Sequence, residues 1–164
     1  MDKRKFIRST LLSWIIFIGI DFLMHASILE KLWAEEIEAI KPSLDLAILI
    51  PVGYFSFLLL TLLVGFVFVR VYPIKPEKRS AFRFALLFGG LYALSNLLGV
   101  YSYVDIPIGH LILFNLVYFI EIVAVVFVYY NTYYNRDKTK KQNLLYTIYF
   151  FTLLVAGVII QNII

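Results

Sequence analysis

Cysteine is missing from this chain. Disulfides, thiolate metal sites and a cysteine nucleophile are therefore excluded, and cysteine usage says nothing of redox compartment. Charge is also scarce: Asp, Glu, Lys and Arg make up 16% of the 164 residues, against about a quarter in a soluble domain. Histidine occurs only twice, as His25 and His110. No G-x-S-x-G, H-E-x-x-H or Walker sequence is present, and the serines and threonines stand in no nucleophile motif. No catalytic residue is expected, and the reading is of a protein that is not an enzyme. What the chain has in excess is apolar side chains, 62% of its residues, with a mean hydropathy of +0.85.

Those side chains are gathered into runs that approach or reach the roughly 20 residues a spanning helix needs. A bilayer admits only helices or a closed barrel, and unbroken apolar runs lack the alternation of a barrel. The expectation is an all-α integral membrane protein, a five-span transmembrane helical bundle forming one domain over residues 1–164. The spans are read at about residues 9–29, 46–69, 83–101, 107–130 and 144–163.

The pI near 9.2 invites a nucleic-acid reading, but the basic residues are placed otherwise. Lys3, Arg4, Lys5 and Arg8 form one cluster, Arg70, Lys75, Lys78, Arg79 and Arg83 a second, and Arg136, Lys138, Lys140 and Lys141 a third. With five spans all three fall on one side, leaving only Lys31 and Lys41 for the other. The positive-inside rule then puts the N-terminus in the cytoplasm and the C-terminus outside, in a cell inner membrane, with the clusters facing lipid headgroups and no nucleic acid.

Residues 1–26 have the charge and apolar core of a signal peptide but read as the first span. In the outer segment 30–41, Trp33, Ile37 and Ile40 recur at helical spacing against four glutamates, which predicts an amphipathic helix at the interface. Pro73 and Pro76 mark an inner turn, with Ser80 as N-cap of the third span. Tyr129, Tyr130, Tyr133 and Tyr134 make an inner aromatic belt. A shift of 71 residues aligns Ser9 with Ser80, Gly19 with Gly90 and His25 with Asn96, and Ile50–Gly53 resembles Ile106–Gly109. The first four spans thus read as two parallel-repeat hairpins with one helix added.

Two acids lie inside apolar spans: Asp21 in the first and Glu121 in the fourth. An ionisable group in hydrocarbon must be paired, neutralised or wetted, so each is a site hypothesis. Asp21 and His25 are at i, i+4 and share a face. His110 and Glu121 are 11 residues apart, close to three turns, and share another. His25, His110 and Asn96 sit at similar depth near the outer ends. Gly89, Tyr92, Asn96 and Gly99 form a stripe suited to close helix contact, with Asn115 turned to a different face from His110. The expectation is an outward-opening polar pocket between spans 1, 3 and 4, with ligand-binding residues Asp21, His25, Tyr92, Asn96, His110 and, deeper, Glu121. The plain alternative is that these groups hydrogen-bond across helices and hold the bundle together.

Asp21-Phe-Leu-Met-His25 with Leu29 and Leu32-Trp33, then Arg83-Phe84 with Gly89-Gly90-Leu91, resemble a pattern found in small polytopic bacterial inner-membrane proteins of unassigned function. The likeness covers residues 10–131, departs at Ala85, where glycine is expected, and lacks the fifth span. It implies a membrane location and no activity. The five-span size is also similar to that of the tryptophan-rich sensory proteins that bind porphyrins and sterols, without their Trp- and Pro-rich signature.

The leading expectation is a pocket for a small apolar or amphipathic ligand or a lipid, without catalysis, metal or cofactor. One alternative is a proton or small-solute transporter using Asp21 and Glu121. Another is a bis-histidine b-type haem protein. A metal held by His25, His110 and Asp21 lacks the fixed ligand spacing of known sites. Small bundles commonly pair in the membrane, so a homodimer or a membrane-complex partner is among the expectations.

Overall fold

The computed structural model describes residues 1–33, 43–135 and 139–163. Helix α1 spans Lys3–Leu23 and runs on into a π-helical turn, Met24–Ile28. A single turn, α2, follows at Glu30–Trp33. Then come α3 (Ser43–Val71), α4 (Lys78–Tyr101), α5 (Ile108–Thr132) and α6 (Thr139–Gln161). Five of these segments are long and apolar enough to cross a membrane: Lys3–Ile28, Ile48–Val71, Lys78–Tyr101, Ile108–Thr132 and Thr139–Gln161. The described residues contain no strand. The five-span helical reading therefore holds. Most of the amphipathic helix expected over 30–41 lies outside the described residues.

Asp2 starts α1 early: its carboxylate accepts from the backbone N–H groups of Arg4 and Lys5 at 3.1 and 3.3 Å, filling donors that a helix start leaves open. The expected cap of α4 is corrected. Its N-cap is Glu77, and Ser80 already lies in the first turn, its N–H bonded to the Glu77 carbonyl at 3.0 Å. Glu77 follows Pro76 in extended backbone, φ −62° and ψ 148°, and releases the chain directly into the helix.

The bundle is centred on α5, which buries the largest share of its span, 44%, against 11% for α4 and for α6. Helix α1 runs antiparallel to α5: Phe6 stacks near Tyr129 at one end, and His25 meets Phe114 at the other. Helix α6 runs parallel to α1, with Arg8 beside Asn143 and Phe22 beside Gly157. Apolar side chains gain little from leaving lipid for protein, so close contact and polar pairing hold such a bundle. The packing reflects that. Tyr129 lies directly across Gly65 of α3, where any Cβ would collide with its ring, and its hydroxyl pairs with Thr10. Gly157 lets α6 press on the π turn, since a Cβ there would sit 2.8 Å from Phe22 and 2.9 Å from Ser27. Gly89 meets Phe119 and Ile122 of α5, whereas Gly90 touches nothing within 4 Å. The sequence matches Gly19 to Gly90, yet Gly19 packs on Leu153 and Phe150, so the two positions do different work.

Polar groups close the end of the bundle that holds the N-terminus. The Arg8 guanidinium donates to Asn143 at 2.7 Å, Gln142 at 2.8 Å and the Thr139 and Thr132 carbonyls at 3.1 and 3.4 Å. Lys75 donates to Asn135 at 2.9 Å, and the Tyr134 hydroxyl donates to the Tyr72 carbonyl. The basic clusters 3–8 and 70–83 and Lys140 and Lys141 thus belong to one end of the bundle. Arg136 and Lys138 lie outside the described residues.

Candidate functional site

The face that α1 turns to α5 is built at a strict spacing of four: Ser9, Ser13, Phe17, Asp21, His25. In a helix such positions form one slowly winding stripe. The partners on α5 confirm the seam. Ser9 pairs with Thr132 at 2.8 Å, Ser13 reaches the Val125 carbonyl at 3.5 Å, Phe17 meets Tyr118 and His25 meets Phe114. Polar groups thus recur from end to end of α1, over roughly 24 Å at 1.5 Å per residue.

At the far end from Arg8 the stripe opens into a cavity of about 410 Å³. Its lining is Asp21 of α1, His25 of the π turn, Val100 of α4, Ile106 of the α4–α5 connection, and His110, Leu111 and Phe114 of α5. Asp21 Oδ1 and His25 Nε2 are 3.9 Å apart, a loose pair at the limit of direct contact. The His25 ring lies 5.2 Å from that of Phe114. His110 is 7% exposed, and its Nε2 stands 3.3 Å from the Leu32 carbonyl. Here the helix is wound one residue wider per turn: the Leu29 N–H bonds the Met24 carbonyl at 2.8 Å. Single π turns of this kind are frequent at functional sites.

Three of the six residues picked from sequence, Asp21, His25 and His110, therefore share one cavity. Asn96 and Tyr92 do not line it. Asn96 Nδ2 donates to Asn115 Oδ1 at 2.9 Å, and Asn115 Nδ2 donates to the Leu111 carbonyl at 2.8 Å. That chain of bonds ties α4 to α5. Tyr92 packs its ring on Tyr118 at 5.8 Å. Both instead border a shallow cavity with Phe88, Leu91 and Ser95 on α4.

Glu121 lies beneath the cavity and is 1% exposed. Neither of its carboxyl oxygens has a hydrogen-bond partner among the described residues, and the same is true of the Thr61 hydroxyl. Glu121 stands one turn before Val125 and seven residues after Phe114, on the α5 stripe that follows α1. Asp21 follows Phe17 by one turn on α1, and Phe17 meets Tyr118, which precedes Glu121 by one turn on α5. Tyr118 was not singled out by sequence, yet its ring touches those of Phe17, Phe57, Tyr92 and Phe114. Its spacing of three from Glu121 and four from Phe114 was the available signal.

Among the described residues no three His, Asp or Glu side chains are gathered as a metal site would need. The arrangement offers hydrogen bonding and one loose Asp–His contact beside apolar walls, with a buried acid behind them. No known family model, curated protein or solved structure matches the chain.

Proposed function

We propose that this is a multi-pass protein of the cell inner membrane, N-terminus in the cytoplasm, whose outer cavity holds a small amphipathic molecule or lipid without catalysis. The observation that carries the reading is the composition of the cavity. Asp21, His25 and His110 supply polar contacts, while Val100, Ile106, Leu111 and Phe114 supply an apolar wall. A ligand with a polar head and a hydrocarbon body matches both. The volume of about 410 Å³ falls in the roughly 300–1,000 Å³ range of small-molecule sites. The inside orientation rests on the basic clusters, which leave the cavity at the opposite, outer end. A haem between the two histidines has less support, because His110 Nε2 is already turned to the Leu32 carbonyl and His25 Nε2 to Asp21.

The test is native mass spectrometry of the protein released from detergent. Wild type is expected to retain a lipid or small molecule, and Val100→Trp, which fills the cavity, to lose it. Equal occupancy in a folded Val100→Trp variant would place the bound molecule elsewhere and end the proposal.

A further inference from the structure

Glu121 is not used by a ligand in the outer cavity, which it does not line. It is also a poor packing residue. An apolar side chain of similar size would fill the same space without leaving two carboxyl oxygens unsatisfied. A carboxylate with no donor in so dry a place has nothing to balance its charge. A carboxylic acid carries no charge there and holds one exchangeable proton. We propose that Glu121 is a proton-carrying acid, loaded from the outer cavity by way of Asp21.

The surroundings give the path its direction. Towards the cavity lies Asp21, one turn after Phe17, which meets Tyr118, and one turn before His25, which meets Phe114; Asp21 itself lines the open space with His25. Tyr118 lies one turn before Glu121 on α5, and its ring meets Phe17, one turn before Asp21 on α1. Towards the Arg8 end, Val125, Val126 and Tyr129 are fully buried, and Phe6 is 8% exposed; the cavity of about 390 Å³ at that end is lined on α5 only from Asn131 onwards, beyond these buried residues. The titratable groups on the helices packed around Glu121 are Asp21 from α1, Tyr92 from α4, whose ring meets Tyr118, and Tyr118 from its own helix. From α3, Tyr54 lies beside Phe57, which stacks on Phe17. The two carboxyls are not hydrogen-bonded to each other, so the proton crosses through a bridging water: one O–H bond at Asp21 breaks, one at Glu121 forms, the water gains one proton and gives one up, and the Asp21 carboxylate regains its proton from water in the cavity. The proposal uses the outward opening of the cavity but not its ligand, so loss of ligand binding and loss of proton exchange are separate readouts.

The experiment is infrared difference spectroscopy of protein carrying ¹³C-labelled glutamate, reconstituted in liposomes and switched from H₂O to D₂O at pH 7. The other glutamates, Glu30, Glu35, Glu36, Glu38 and Glu77, lie outside the apolar runs of the sequence, so a protonated glutamate carboxyl at that pH reports Glu121. Wild type is expected to show that carboxyl band and to shift it in D₂O. Glu121→Gln should remove the band. Asp21→Asn should keep it but slow the exchange by roughly a hundredfold, the low end of what a positioned proton donor contributes. The labelled wild type carries the test even if Glu121→Gln does not fold. No protonated glutamate in wild type, a band that never exchanges, or equal exchange in Asp21→Asn would each overturn the proposal.

Discussion

The hydroxyl end of the Tyr129 ring on α5 packs against Gly65 of α3, its hydroxyl held by Thr10 of α1. One residue without a side chain thus brings three helices to a common point. Gly65→Ala should destabilise the bundle by about 1–3 kcal/mol, the usual penalty for overfilling a packed site. Gly53→Ala, on the same helix with nothing within 4 Å of its Cβ, should not. Unfolding titrations of both variants in mixed micelles check the pair, and equal losses would show that Gly65 matters for some other reason than space.

The Asn96–Asn115 bond at 2.9 Å predicts coupling between two helices. Either alanine variant should lose about 0.6–2 kcal/mol, the range for polar contacts between spans. The double variant should lose less than the sum of the two, which a double-mutant cycle measures. Strict additivity would mean that the two amides do not act together.

The orientation predicts that a reporter active only outside the cytoplasm works when fused after Ile164, and that one active only in the cytoplasm does not. The distribution of Lys and Arg motivates this. The reverse pattern would turn the bundle over and place the candidate cavity on the inner side.

At the Arg8 end, beyond the α5 span, burial pushes the Tyr134 hydroxyl from 10.0 up to about 12. The folded state therefore keeps this proton at a pH where the unfolded chain releases it. The contribution to stability is full below about pH 10 and is lost as pH rises from 10.0 to about 12. Tyr134→Phe should flatten that part of a stability-against-pH curve relative to wild type. An unchanged slope would assign the alkaline loss to other tyrosines.

The five spans were legible because bilayer thickness sets a minimum apolar length, and nothing else in this chain produces such runs. Their ends were not. The apolar criterion began the first span at Ser9 and the third at Arg83, whereas backbone hydrogen bonding carries α1 back to Lys3 and α4 back to Lys78, with long basic side chains reaching towards water. Asp21, His25 and His110 were legible from spacing and depth. Asn96 and Tyr92 were misplaced because depth says nothing of how a helix is rotated about its axis. The approach of α5 at Gly89 turns Asn96 onto Asn115 and away from the cavity. The π turn at Met24–Ile28 had no sequence mark, since it depends on where α6 meets α1 at Gly157.

The buried acid of α5 also bears on how the chain is made. An acidic side chain at a helix centre opposes entry into the bilayer by about 2.5–3.5 kcal/mol, while each Leu, Ile, Phe or Val favours it by about 0.3–0.6 kcal/mol. The Leu, Ile, Phe and Val residues that fill most of Ile108–Thr132 outweigh one glutamate, so this segment partitions without help. Once in lipid, however, it carries a group that hydrocarbon rejects. By then α1, α3 and α4 have already been synthesised. Turning Glu121 away from the acyl chains swings Phe114, Val125, Val128 and Thr132 onto α1 in the same rotation. The residue proposed to carry a proton in the finished protein would thus also set the angle at which its helix docks during assembly.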